Sequence, residues 1–111
     1  MSETPAETLR RAAKLIRERV EALRAEMTEN AYWGYPSAGS ADAAYRIGVD
    51  GGLGGAAGEM AAPWDLSANA AVAALLDKIA WMVGMDAELL GRVGVDETLA
   101  VARAYIGEVP A

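Results

Sequence analysis

The sequence predicts a small, mostly α-helical domain of four to five helices, with a glycine-rich irregular middle segment that has room for one short β-hairpin. Three observations carry this. Apolar residues recur at four- and three-residue intervals over residues 9–27 and again at helical spacing over 72–83, the period of one helix face. A start signal precedes each run. Alanine supplies much of the 53% hydrophobic content, and alanine favours helix while burying little area. At 111 residues the chain suits one domain, residues 1–111.

The first helix occupies residues 1–30. Thr4 is its cap, Pro5 its first helical residue, and Glu7 completes a capping box. Its seam is Leu9, Ala13, Ile16, Val20, Leu23 and Met27, and the pattern stops near Glu29–Asn30. The other face is charged, with Glu7–Arg11 and Arg17–Glu21 placed as i,i+4 pairs.

Residues 31–64 form a connection of different composition, holding eight of the twelve glycines. Tyr35 to Ser40 reads as turn. Ala44 to Val49 reads as a short strand with Asp50-Gly51 as its turn and either Ala31–Tyr35 or a second subunit as its partner. Gly55 to Ala62 reads as a short helix ended by Pro63.

Residues 65–111 form the rest of the bundle. A helix starts at Asp65 or Ser67, carries the stripe Val72, Leu75, Leu76, Ile79 and Val83, and stops at Gly84. Trp64 and Trp81 are expected in the core. Asp86 caps a short helix through Leu89, Leu90 and Val93, broken at Gly94. Asp96 caps the last helix, where Leu99, Ala102, Arg103 and Ile106 share a face, Val95 and Ala100 form a staple, and Gly107 is the stop. The first helix is expected to pack on the helix from Asp65 and on the last one.

Charge and composition exclude several functions. The net charge of −6 opposes phosphate backbones and anionic lipid, so neither nucleic acid nor membrane is an expected partner. The apolar stretch 68–85 is interrupted by Asp77 and Lys78 and reads as a core helix. Met1 to Pro5 has no basic start and no apolar run, which predicts no signal peptide and a cytoplasmic setting. Six of the ten basic residues lie within the first 24, which suits docking of the first helix on the acidic remainder, in the same chain or a second copy.

The chain has no His and no Cys. The commonest general base, the commonest transition-metal ligand and the strongest nucleophile are therefore missing. No catalytic residue, metal site or cofactor is predicted. Gly52-Leu53-Gly54-Gly55-Ala56-Ala57 matches a relaxed dinucleotide fingerprint, but no second strand follows at βαβ spacing, so it reads as a glycine turn. Asp86 with Glu88, and Asp96 with Glu97, read as helix-start acids rather than cation ligands.

Two stretches carry a resemblance. Thr4 to Arg19, together with Ala74 to Asp77, Leu89 to Gly94 and Glu97 to Gly107, resembles the opening and ending of small helical proteins of high-GC actinobacteria and their phages. Those proteins often carry an Ala-Thr-Pro-Gly-Pro-Trp turn after the first helix, and here Glu29 to Gly34 departs from it. The resemblance implies an accessory gene of phage-borne type in a cytoplasmic setting, and no activity or catalytic residue.

Two functions are expected in order. The first is a non-enzymatic accessory or inhibitor protein that binds another protein and acts as a homo-oligomer, most simply a dimer. Its seam would be Leu9, Ile16, Val20, Leu23 and Met27, which is longer than the remaining helices cover. The second is a binder of a small anionic, nucleotide-type ligand. That site would use Tyr32, Trp33, Tyr35 and Tyr45 as a platform, the backbone of Gly52 and Gly54, and Arg46 as the anion partner. Against it stands the plainer reading that these aromatics cover the helical core.

Overall fold

A computed structural model of the protein describes residues 3–35, 37–86 and 95–107. Among them are five α-helices and no strand: α1 (Pro5–Glu29), α2 (Ala41–Leu53), α3 (Gly55–Ala61), α4 (Leu66–Met85) and α5 (Val95–Ile106), with a single 3₁₀ turn at Ala31–Trp33. The mostly α-helical fold class is therefore as the sequence predicts. The chain divides into two compact units whose boundaries cut through α1 and α4.

One unit comprises Met1–Arg17 with Ala71–Ala111. Its α1 portion starts as expected. Thr4 Oγ1 accepts from the Glu7 amide at 3.1 Å and donates to Glu7 Oε1 at 2.9 Å, which satisfies one of the unpaired donors of a helix start. Arg17 reaches Asp77 at 2.6 Å, and Arg10 lies against Gly84. The two contacts are seven residues apart on each helix and run in opposite directions, so α1 and α4 are antiparallel here. Arg17 pairs with Asp77 of the neighbouring helix, while Glu21, its expected i,i+4 partner, pairs with Arg24.

The buried face of α1 is Leu9, Ala12, Ala13 and Ile16, and that of α4 is Ala73, Leu76, Ala80 and Val83. Alanine at 12, 13, 73 and 80 permits close helix contact. This choice turns α4 away from the expected stripe. Leu75 and Trp81, both expected in the core, face solvent, and Val72 and Ile79 are half-buried. The helix also runs past Gly84 to Met85. In α5, Val95, Leu99 and Ala102 are buried and Gly107, at φ +94°, ends the helix as expected. Asp96 lies inside its first turn rather than at the cap, so Val95 is helical and forms no staple with the exposed Ala100. The short helix expected through Leu89, Leu90 and Val93 lies outside the described residues.

The other unit is Glu18–Ala70. Its core is Met27, Ala41, Ala44 and Leu66, with Val20, Leu23, Trp33, Ala38 and Tyr45 packed around them. The expected strand at Ala44–Val49 is instead the middle of α2. Ser40 decides it: its Oγ accepts from the Ala43 amide at 3.1 Å and starts a helix ahead of the apolar run. A six-residue alternation is too short to outweigh a cap and a face of Ala41, Ala44 and Tyr45 at helical spacing. Asp50 and Gly51 are helical for the same reason. The chain then turns at Gly54 into α3, the short helix predicted before Pro63, and Gly58 of α3 sits directly against Asp50. Trp64 is 53% exposed, contrary to its expected core place, because the adjacent Asp65 and Leu66 take the interior positions.

Leu9, Ile16 and Met27 are at most 1% exposed in the single chain, with Val20 and Leu23 half-buried. Three residues of the seam expected to receive a second copy are thus covered within the chain, while Val20 and Leu23 stay partly open.

Candidate functional site

The aromatic segment follows from α2. Gly48 and Gly52 lie one helical turn apart and leave a groove without side chains. Trp33 lies over Gly48, where an added Cβ would stand 2.7 Å from its ring, and the Tyr32 hydroxyl lies as close over Gly52. Tyr32 donates to the Gly48 carbonyl at 2.7 Å, and Trp33 Nε1 donates to Glu26 at 2.7 Å. The Trp33 ring stacks on Tyr45 with centroids 6.2 Å apart and 8° between planes, and meets the Tyr32 ring edge-on. The structure therefore brings Tyr32, Trp33, Tyr45 and Gly52 together, but as packing. Trp33 and Tyr45 lie against the core of their unit. Tyr35 is 38% exposed, and Gly54 sits at the corner between α2 and α3.

Arg46 is turned elsewhere. Its guanidinium holds Asp65, whose other oxygen accepts from the Ala68 amide at 2.9 Å as the cap of α4. The Ala68 amide, ahead of Arg46, holds the Asp65 carboxyl below its usual range against the opposing effect of burial. Asp42 adds a second acceptor at this helix start, bonded to both the amide and the hydroxyl of Ser67. Ser67 and Asp42 have the look of an activated hydroxyl, yet the chain has no histidine to relay the proton. The arrangement satisfies a helix terminus.

An open hollow of about 390 Å³ is lined by Arg46, Ile47, Asp50, Glu59, Ala62 and Pro63. Its one cation already faces Asp65, and its remaining charges are carboxylates, which disfavour an anion. Arg46, the expected anion partner, lines this hollow without Tyr32, Trp33, Tyr35 or Tyr45 of the expected aromatic platform.

Among the described residues, large apolar side chains are left exposed at Ile47, Leu53, Met60 and Trp64 and along the outer face of α4. Leu75 is 55% exposed, Trp81 61%, Met82 37% and Met85 69%. Such a cluster of large apolar side chains on one helix is the kind of surface that marks an interaction site. Sequence reasoning missed it because Trp81 lies beside the apolar stripe. The signal available was the Ala73, Ala80 pair, which offers a closer-packing inner face than Leu75 does. By length and composition α4 is also apolar enough to cross a membrane. Comparison of the chain with protein-family models, curated proteins and solved structures finds no match.

Proposed function

We propose that this is a non-enzymatic protein-binding protein whose contact surface is the outer face of α4. The observation that carries this is the exposure of Leu75, Trp81, Met82 and Met85 on a helix whose inner face, Ala73, Leu76, Ala80 and Val83, is buried. Trp and Met are enriched in the centres of protein interfaces. The lack of His and Cys supports a binding role over a catalytic one. The ion pair between Asp77 and Arg17, together with the buried inner face, supports α4 as a packed helix of a cytoplasmic protein rather than a membrane span. An accessory or inhibitor role of phage-borne type fits a small acidic chain with an exposed apolar helix face.

The test is a photo-crosslinking residue at position 85 in the full chain, expressed in cells, with adducts identified by mass spectrometry. Discrete adducts with another protein, lost in Leu75→Lys, are the expected result. Absence of any adduct with another protein, or adducts indifferent to Leu75→Lys, overturns the proposal.

A further inference from the structure

The exposed face of α4 is arranged about its own midpoint. Lys78 is the centre. Ala71 and Met85 lie seven residues to either side, Ala74 and Met82 four, and Leu75 and Trp81 three. At 100° per residue all seven fall within about 60° of the Lys78 direction. Ala71, Ala74, Lys78 and the four large residues are all exposed. The N-terminal half of the face thus presents Leu75 beside two alanines, which are hollows, and the C-terminal half presents Trp81, Met82 and Met85, which are knobs.

From this we infer that a second copy of the chain covers the face, α4 against α4 in antiparallel register, with the twofold axis at Lys78. The inference rests on the proposed contact surface and names its first partner. In that register the Trp81 ring of one copy enters the gap left by Ala74 of the other. Met82 meets Leu75, and Met85 lies over Ala71. Each pair matches in height to within one residue, about 1.5 Å. A twofold interface must be self-complementary, and a face with its two alanines toward one end and three of its four large side chains toward the other meets that condition when reversed.

The area fits a weak dimer. The four large side chains leave on the order of 500 Å² in solvent, at the upper end for the largest apolar patch of a monomer. Counting both copies, roughly 1,000 Å² is covered, near the lower bound for a specific interface. Lys78 meets its own copy at the axis. Its stem packs while its ammonium turns to water, and the like charges limit affinity. Both this pair and the net charge of −6 on each copy are repulsions that salt screens, so association strengthens as ionic strength rises.

Sedimentation velocity across a wide concentration series tests this on the full chain. The expected result is a concentration-dependent monomer–dimer equilibrium, lost in Leu75→Lys and in Trp81→Gln while helical circular dichroism stays unchanged. Register is tested by mixing wild type with Lys78→Glu. The mixed dimer, with opposite charges at the axis, should be about two- to five-fold tighter than either dimer alone, the effect of one exposed ion pair. A monomer at every concentration, a dimer indifferent to Leu75→Lys, or a mixture with no preference overturns the inference. Adducts with another protein that persist in a purely monomeric chain would leave the protein-binding proposal standing while this one falls. A dimer without such adducts does the reverse.

Discussion

Arg46 and Asp65 are joined by two short contacts, Nε and Nη2 of the arginine each lying 2.7 Å from Oδ2 of the aspartate. The pair ties the middle of α2 to the start of α4, and Asp65 Oδ1 remains free to cap that helix through Ala68. Asp65→Asn retains a capping oxygen but removes the charge. It should lower stability at neutral pH by about 1 kcal/mol, a modest figure because Arg46 is largely exposed. The carboxyl is held below its usual range by the Ala68 amide first and by Arg46. Its contribution is therefore full above the ordinary aspartate value and is lost as pH falls through the depressed one. Urea midpoints of the two chains should differ at pH 7 and converge below about pH 4. Glu3, lowered by its bond with Arg11, titrates alike in both chains and cancels. A gap that persists at low pH would show that Asn disturbs the cap itself.

Two glycines of α2 should respond in opposite directions to the same change. Gly48→Ala puts a methyl 2.7 Å from a Trp33 ring that is fixed by Tyr45 and Glu26. Overpacking of this kind costs about 1–3 kcal/mol. Gly51 has open space around it, so Gly51→Ala should gain up to about 1 kcal/mol from helix propensity alone. Thermal melts of the two variants should bracket the wild type. If both were stabilising, Trp33 would not lie in the groove.

Trp33→Ala separates packing from ligand binding. The ring lies against Met27, Ala41, Ala44 and Leu66, and its loss should cost about 2–4 kcal/mol, somewhat less than a fully buried aromatic. The same variant would leave stability nearly unchanged if the ring served a ligand alone. Chemical denaturation of the ligand-free protein decides between them.

What could be read from the sequence was local. Thr4, Pro5 and Glu7 announce α1, Asp65 announces α4, and Gly107 ends α5, because caps and stops depend on a few adjacent residues. The middle was misread because its deciding contacts are distant in sequence. Gly48 and Gly52 look like strand or turn residues until Tyr32 and Trp33 are seen lying on them. The orientation of α4 was hidden for a related reason. A face of Leu75, Leu76, Ile79 and a face of Ala73, Leu76, Ala80 both satisfy the helical period, and only the close approach of a neighbouring helix selects the second. The same selection leaves Leu75 and Trp81 outside, so the candidate contact surface was no more legible than the packing that exposes it.

The corner at Gly54 gives a test of strain without crowding. Gly54 ends α2 by donating to the Asp50 carbonyl at 2.8 Å, and its own carbonyl accepts the Gly58 amide as α3 begins. To serve both helices it adopts φ +69°, ψ 167°, a region closed to residues with a Cβ of normal chirality. Nothing lies within 4 Å of where a Cβ would stand. Gly54→Ala should therefore cost about 1–3 kcal/mol through backbone strain alone. The mirror residue reverses the argument. D-alanine at position 54, introduced by chemical ligation, finds its favoured φ there and meets no neighbour, so it should match or exceed the wild type in thermal stability. Equal losses for the L and D residues would mean that the corner is crowded rather than strained.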